Sequence, residues 1–285
     1  MDRCTAQCVD QPMHAGGKSP KLMHMESRTS LPRVLMYHSI SRPEGDNDAL
    51  RTSPERFEAQ MDYLKRRNLR GVSMRELCRA MNAGDARSLI GLTFDDGYED
   101  FLGAALPTLE RLGFSATVFV VSGMLGKENS WEHRGEPGAQ LKLLEANGVR
   151  EISERGMEVG SHTVTHPRLP GVDPEALVHE VSNSRHVLSE ILGAPVKGFC
   201  YPYGDLDGPA IRAARRAGYV YAVATKKSIE YGLYDWPRTY VGEKDSPLRL
   251  GLKLRVSPHL TRLRKYSAKL RASYGGSSSN SLSSH

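Results

Sequence analysis

Two short stretches of this chain hold side chains that do chemistry when they are brought together. Thr93-Phe-Asp-Asp-Gly97 sets two carboxylates, Asp95 and Asp96, side by side. Adjacent acids repel, and both stay ionised comfortably only where a cation or a set of donors neutralises one of them. The plainer use of such a pair is to cap a helix. Ser161-His-Thr-Val-Thr-His166 places His162 and His166 four residues apart, a spacing that lets one helical turn aim both imidazoles at a single ion. The two stretches together predict a two-histidine, one-carboxylate site with open positions for water, a donor set that suits Zn²⁺, Co²⁺, Ni²⁺ or Fe²⁺. In that arrangement Asp96 ligates the metal, and Asp95 stays free as the base that takes a proton from water held there.

For these residues to meet, the elements carrying them must end on one face. Short apolar runs at 33–38, 89–94, 116–121, 157–160, 197–201 and 219–224 read as strands, with 238–241 as a last one. Between them 54–67, 104–112, 174–192 and 209–217 read as helices, the first with Ser53 as N-cap and Phe57, Met61 and Leu64 at helical spacing. Such alternation means a parallel sheet, and six or more strand–helix units favour a closed barrel over a small open sheet. The polar residues fall at strand ends: His38, the Asp95–Asp96 pair, Ser161–His162, and Pro202-Tyr-Gly204. In parallel α/β folds those ends open on one rim, where the chemistry sits.

Thr-Phe-Asp-Asp-Gly, Ser-His-Thr-Val-Thr-His and Tyr-Pro-Tyr-Gly, in this order, resemble the polysaccharide deacetylase (NodB homology, carbohydrate esterase 4) family, over about residues 31–241. The resemblance implies an α/β fold, a distorted (β/α)7 barrel, that hydrolyses N-acetyl and sometimes O-acetyl groups on sugars. It implies Asp96, His162 and His166 as metal ligands, with Zn²⁺ foremost, Asp95 as base, and the backbone N–H of Tyr203 as a donor to the oxyanion. Two departures stand out. The family's third motif commonly begins with an Arg that steadies the base, and Cys200 occupies that place here. The usual late Leu-x-His that supplies the acid is missing. Val34-Leu-Met-Tyr-His-Ser-Ile40, however, resembles the permuted subgroup of poly-N-acetylglucosamine deacetylases, which implies His38 as the acid that protonates the leaving amine. A hydrogen-bonded core histidine is the plain alternative for His38. Arg238, in Trp236-Pro-Arg-Thr239, is the candidate to orient Asp95 in place of the missing Arg. Trp131 either stacks on a sugar ring or caps the barrel, and Tyr37, Tyr98, Tyr201 and Tyr203 are further candidates for sugar contact, most of them as packing residues.

The expected function is therefore metal-dependent removal of N-acetyl groups from an amino sugar or an N-acetylglucosamine-containing saccharide. Rival readings are hydrolysis of another C–N bond such as deformylation, O-acetyl ester cleavage, carbohydrate binding without turnover, and an iron oxygenase. The last lacks a use for the second carboxylate.

With 285 residues, 25% of them charged, the chain has the composition of a globular protein. Residues 33–245 make up the expected barrel. Residues 1–32 are polar, interrupted by Pro and Gly, and carry no apolar signal core; they read as a disordered leader, and a cytoplasmic location is the expectation. Cys4 and Cys8 read as free thiols rather than a metal pair. The net charge of +6 is placed unevenly: eight Lys and Arg and no acid follow residue 245. The body is nearly neutral, which argues against a nucleic-acid partner. Residues 246–274 read as a basic amphipathic extension able to touch an anionic membrane, with packing against the barrel as the favoured alternative, and 275–285 as a flexible tail.

Overall fold

Every apolar run read as a strand pairs in parallel with its neighbours in the computed structural model, which describes residues 32–45, 48–131, 140–225 and 231–255. The expected leader, Cys4 and Cys8, most of the basic extension and the tail lie outside the described residues. The strands are β1 (Arg33–Tyr37), β2 (Arg70–Val72), β3 (Leu89–Phe94), β4 (Thr117–Val120), β5 (Glu158–Ser161), β6 (Gly198–Cys200), β7 (Tyr221–Ala224), β8 (Trp236–Pro237) and β9 (Thr239–Tyr240). Their order is β8-β7-β6-β5-β4-β3-β1-β9, with β2 added beside β3. β8 pairs with β7 at one edge and β9 with β1 at the other. Only Arg238 separates them. One kinked segment thus joins both edges, and the sheet nearly closes into the expected barrel, with β8 and β9 together filling the seventh position. β2 covers the lower end of β3 (Gly71 opposite Ile90), and β4 covers its upper end (Thr93 opposite Thr117).

Helices α1 (Pro54–Arg66), α2 (Met74–Ala83), α3 (Leu106–Leu112), α4 (Ala146–Glu154), α5 (Pro174–Val178), α6 (Ser184–Leu192) and α7 (Gly208–Arg216) surround this sheet. Their starts follow local capping chemistry: the Ser53, Ser73, Asp173 and Asp207 side chains each accept from a backbone N–H of the first turn. β2, α2 and α4 were not anticipated. The helix expected over 174–192 is present but not regular, because His179–Asn183 between α5 and α6 winds as a π turn. A second π turn, Phe101–Ala105, leads into α3.

Alternation along each strand sorts two cores, as a period of two requires. Leu35, Tyr37, Leu92, Phe94, Val118, Val120, Phe199 and Ala222 face the helices. Val34, Phe119, Cys200, Tyr221, Val223 and Trp236 form a second cluster, on the opposite face of the same strands, which is the barrel interior. Beyond residue 245, residues 247–255 are helical and form α8. In a helix the informative spacing is four, so Leu250 and Leu254 enter the core while Leu248 and Leu252 face solvent. The start of the basic extension is therefore part of the barrel's packing. Among the described residues no helix is long and apolar enough to cross a membrane.

Gly160 is one of the tight points of this interior. It lies opposite Phe119 in the β4–β5 ladder, and a Cβ there would overlap the Phe119 ring. Gly160→Val should destabilise the protein by about 1–3 kcal/mol through overpacking, measured as a lower midpoint in urea unfolding. An unchanged midpoint would mean that the interior has slack at this level.

Candidate active site

The carboxyl ends of the strands deliver the chemistry, as parallel pairing demands. His38 follows β1, Asp95 and Asp96 follow β3, His162 and His166 follow β5, Tyr203 follows β6, and Arg238 sits in the β8–β9 kink. The backbone keeps strand pairing just long enough to place them: Asp95 N–H donates to the Tyr37 carbonyl and His162 N–H to the Val120 carbonyl. Then the chain turns sharply. Asp96, Thr163, His166 and Tyr203 all have positive φ, at 72°, 71°, 64° and 59°. Among the described residues the only other non-glycine case is Asn68. Such backbone is costly for residues with a Cβ and collects at functional sites.

Asp95 and Arg238 are both buried and form a two-pronged pair: Nη1 donates to Oδ1 at 2.6 Å and Nη2 to Oδ2 at 2.7 Å. Nη1 also reaches Thr93 Oγ1 at 3.0 Å, and Nη2 reaches Cys200 Sγ at 3.1 Å. Burial alone would push the Asp95 carboxyl up, but the Arg238 charge and its hydrogen bonds outweigh burial and hold it below the usual carboxylate range. Cys200 thus stands beside the guanidinium, in the place where an Arg was expected, and Arg238 arrives from the far edge of the sheet.

Asp96 is equally buried but has a different company. His162 Nε2 and His166 Nε2 each lie 3.4 Å from Asp96 Oδ1. No Lys or Arg pairs with it among the described residues. His162 Nδ1 lies 2.8 Å from the Cys200 carbonyl; a carbonyl can only accept, so Nδ1 carries a proton and Nε2 faces Asp96. Burial pushes His166 down to about 3, so at neutral pH its ring is uncharged with a lone pair to offer. The two histidines were expected to share a helical turn. They do not: the strand ends at Ser161 and the left-handed residues 163 and 166 fold the loop so that both rings converge.

Met36, His38, Leu50, Asp95, Asp96, His162, His166, Tyr203, Gly204 and Thr225 line a pocket of about 280 Å³. His38 is half-buried on its wall, and its Nδ1 has no hydrogen-bond partner among the described residues. The Tyr203 ring lies 4.7 Å from His166 and under the Arg168 guanidinium at 4.0 Å. Trp131 stands outside this lining and packs on His166, ring centres 4.5 Å apart. Tyr37, Tyr98 and Tyr201 are buried in the core. They are packing residues.

The family profile of polysaccharide deacetylases matches residues 83–222. Protein YxkH of Bacillus subtilis, whose name places it with polysaccharide deacetylases, is 28% identical over 221 residues, 76% of this chain and 73% of its own. The poly-beta-1,6-N-acetyl-D-glucosamine N-deacetylase of Staphylococcus aureus is 20% identical over 228 residues, 75% of this chain and 78% of its own. The Streptococcus pyogenes deacetylase PplD, solved in complex with acetate, superimposes with a TM-score of 0.67 at 26% identity, over 78% of this chain and 96% of its own. This chain is similar to the polysaccharide deacetylase family in sequence and in fold. Deacetylation of N-acetylated saccharide, as hydrolysis of the amide of a sugar N-acetyl group, is the activity that this similarity supports.

Asp96, His162 and His166 offer one ligand atom each within 4.8 Å of one another. A buried carboxylate that faces two imidazoles and pairs with no Lys or Arg among the described residues suits a divalent metal, and the proton that His162 Nδ1 gives to a carbonyl is the outer contact such a ligand needs. Asp95, His162 and Cys200 are also close enough, but there the Arg238 guanidinium already occupies the cation's place. Sequence reasoning missed Thr93 as a support for Arg238 and Met36, Leu50 and Thr225 as pocket wall. Thr93 alone carried a signal, being a polar residue in an otherwise apolar strand. It also missed Asp100, whose Oδ1 accepts from Ile40 N–H at 3.0 Å and whose Oδ2 accepts from Ser39 Oγ, so that it clamps the turn after His38.

Removing the cation from the buried pair has a defined cost. Arg238→Ala should lose about 3–5 kcal/mol of unfolding free energy at neutral pH. In the wild type the depressed Asp95 carboxyl contributes stability above its unfolded pKa, lost as pH falls through the folded value. In the variant burial is opposed only by the nearby His162 and His38 and the carboxyl moves up, so the penalty should fade as pH falls toward about 4 and the acid protonates. Urea titrations across this range check it; a pH-independent penalty would show that lost packing, not charge, is responsible.

Proposed function

We propose that this protein is a divalent-metal-dependent N-deacetylase of N-acetylglucosamine-containing saccharides, with Zn²⁺ as the foremost metal. The observation that carries the reading is the unequal treatment of two adjacent buried carboxylates. Asp95 is tied by both oxygens to Arg238, and Asp96 faces two imidazoles. Two carboxylates in different environments take different jobs. Asp96, His162 and His166 would hold the metal, which when bound polarises an acyl carbonyl and acidifies water. Asp95 accepts the proton of the attacking water; Arg238 uses one lone pair on each of its oxygens and leaves others open. The Tyr203 backbone N–H, presented by a left-handed residue on the pocket wall, donates to the oxygen that gains negative charge as the acetyl carbon becomes tetrahedral. His38 then protonates the amine nitrogen as the C–N bond breaks, giving acetate and a free amino sugar.

The choice of an N-acetylglucosamine substrate is supported by the name of the staphylococcal relative and by the site's acid on the first strand. Trp131, packed on His166, supports the ligand ring more directly than it supports a sugar.

Protein stripped of metal and reloaded with Zn²⁺ or Co²⁺ should release acetate from oligomers of N-acetylglucosamine. Asp95→Asn should keep the metal and lose turnover by about 10²–10⁴-fold. Acetate release that survives Asp95→Asn, or none from any N-acetylated saccharide tried with loaded enzyme, would sink the proposal. For His38 the test is the leaving group: His38→Ala should slow amide hydrolysis by about 10²-fold or more, and hydrolysis of an activated acetate ester, whose leaving group needs no proton, far less. Equal losses on both substrates would remove His38 as the acid.

A further inference from the structure

The chain is helical without a break from Pro174 to Leu192, yet its middle, His179–Asn183, winds as a π turn. Such turns are poor in hydrogen-bond geometry and are found mostly at functional sites. Leu177, Val181, Ser184 and Leu188 form the buried stripe of this helix. Glu180 falls within that stripe and is only 8% exposed. A carboxylate in an apolar stripe needs donors, and the donors it finds belong to the loop between the two site histidines. Glu180 Oε2 accepts from Val164 N–H at 2.8 Å and Thr165 N–H at 2.9 Å, and Oε1 accepts from Thr165 Oγ1 at 2.6 Å.

That loop is under strain. Thr163 and His166 both hold positive φ, and Thr163 is β-branched, the kind of residue least at ease there. Strained backbone persists only where its surroundings over-determine it. The loop's carbonyls are held from the β4 side, Thr163 by Ser122 N–H at 3.0 Å and Val164 by Gly123 N–H at 2.9 Å. Its amides are held from the other side by Glu180. A grip on both sides fixes the turn that brings His162 Nε2 and His166 Nε2 equally close to Asp96, at 3.4 Å each.

We propose that Glu180 is a positioning residue for metal binding: it clamps the 163–165 turn in the strained form that points His162 and His166 at Asp96. The proposal rests on the reading of those three residues as metal ligands. Val164 is half-buried and Thr165 exposed, so water can satisfy their amides once the carboxylate is gone. The variants are therefore expected to fold, with the turn relaxed.

The experiment measures zinc affinity by competition with a chromophoric chelator, together with urea unfolding of the metal-free protein. Glu180→Ala should bind zinc about 10–100-fold more weakly, the range seen when an outer partner of a ligand is removed. Glu180→Gln, which keeps the shape but can accept at only one oxygen, should lie between it and the wild type. Leu188→Ala, a cavity on the same buried stripe away from the turn, should lower stability and leave zinc affinity within about twofold, as expected for a site with no shared partners. Wild-type affinity in both Glu180 variants would overturn the proposal, as would a loss in Leu188→Ala equal to that in Glu180→Ala. Failure of the underlying metal reading looks different: the wild type itself would bind no zinc, or His162→Ala would bind it as well as the wild type.

Discussion

The buried pair between Asp95 and Arg238 is the constraint around which the rest is arranged. Two charges taken out of water are tolerable only with good geometry and with every remaining donor satisfied. Here the guanidinium spends two N–H groups on the carboxylate and adds contacts to Thr93 Oγ1, Cys200 Sγ and the Ala224 carbonyl. Arg238 is also the single residue between β8 and β9, the segment that crosses from one edge of the sheet to the other. Closing the barrel and neutralising Asp95 are thus one event. A chain that failed to seat Arg238 would leave both an open seam and an uncompensated carboxylate.

That pairing gives Asp96 its freedom. Two adjacent aspartates cannot both be buried and ionised without separate sources of compensation, and Arg238 serves only the first. The second is left facing imidazoles, one of which is neutral at physiological pH because of burial. No Lys or Arg pairs with Asp96 among the described residues, and the two imidazole nitrogens that face it are a donor set suited to a divalent cation. The cost appears as backbone strain, concentrated at Asp96, Thr163, His166 and Tyr203. Side-chain carboxylates from helical turns hold two of the site's loops in place: Asp100, which precedes one π turn, grips the turn after His38, and Glu180, inside the other, grips the strained loop before His166. Conformational strain of this kind is stable only because the surrounding barrel is rigid.

Much of this was legible in the chain. Short continuous apolar runs marked six of the strands, because a strand buried on both faces is apolar along its length. The residues at the ends of those runs were legible too, and with them Asp95, Asp96, His162, His166, His38 and Tyr203 as one rim. β2 escaped because three residues, one a glycine, carry almost no periodicity, and the π turns escaped because a winding change has no compositional mark. The spacing of His162 and His166 suggested a helical turn; a loop with left-handed residues achieves the same convergence. The basic extension after residue 245 was read as amphipathic with packing against the barrel favoured, and its first turns do pack, through Leu250 and Leu254.

Sequence by itself determined the strand–helix alternation, the parallel sheet and the set of reactive groups, since short-range sterics and side-chain chemistry are written residue by residue. The sequence offered Arg238 as a candidate partner of Asp95; tertiary structure made the two-pronged pairing and placed Glu180 on the loop between the histidines. Arg238 and Asp95 are 143 positions apart and Glu180 lies 16 from the amide it grips. No local pattern encodes such meetings; they arise when barrel closure brings strand ends and helix faces to fixed positions, and burial then makes each pairing obligatory.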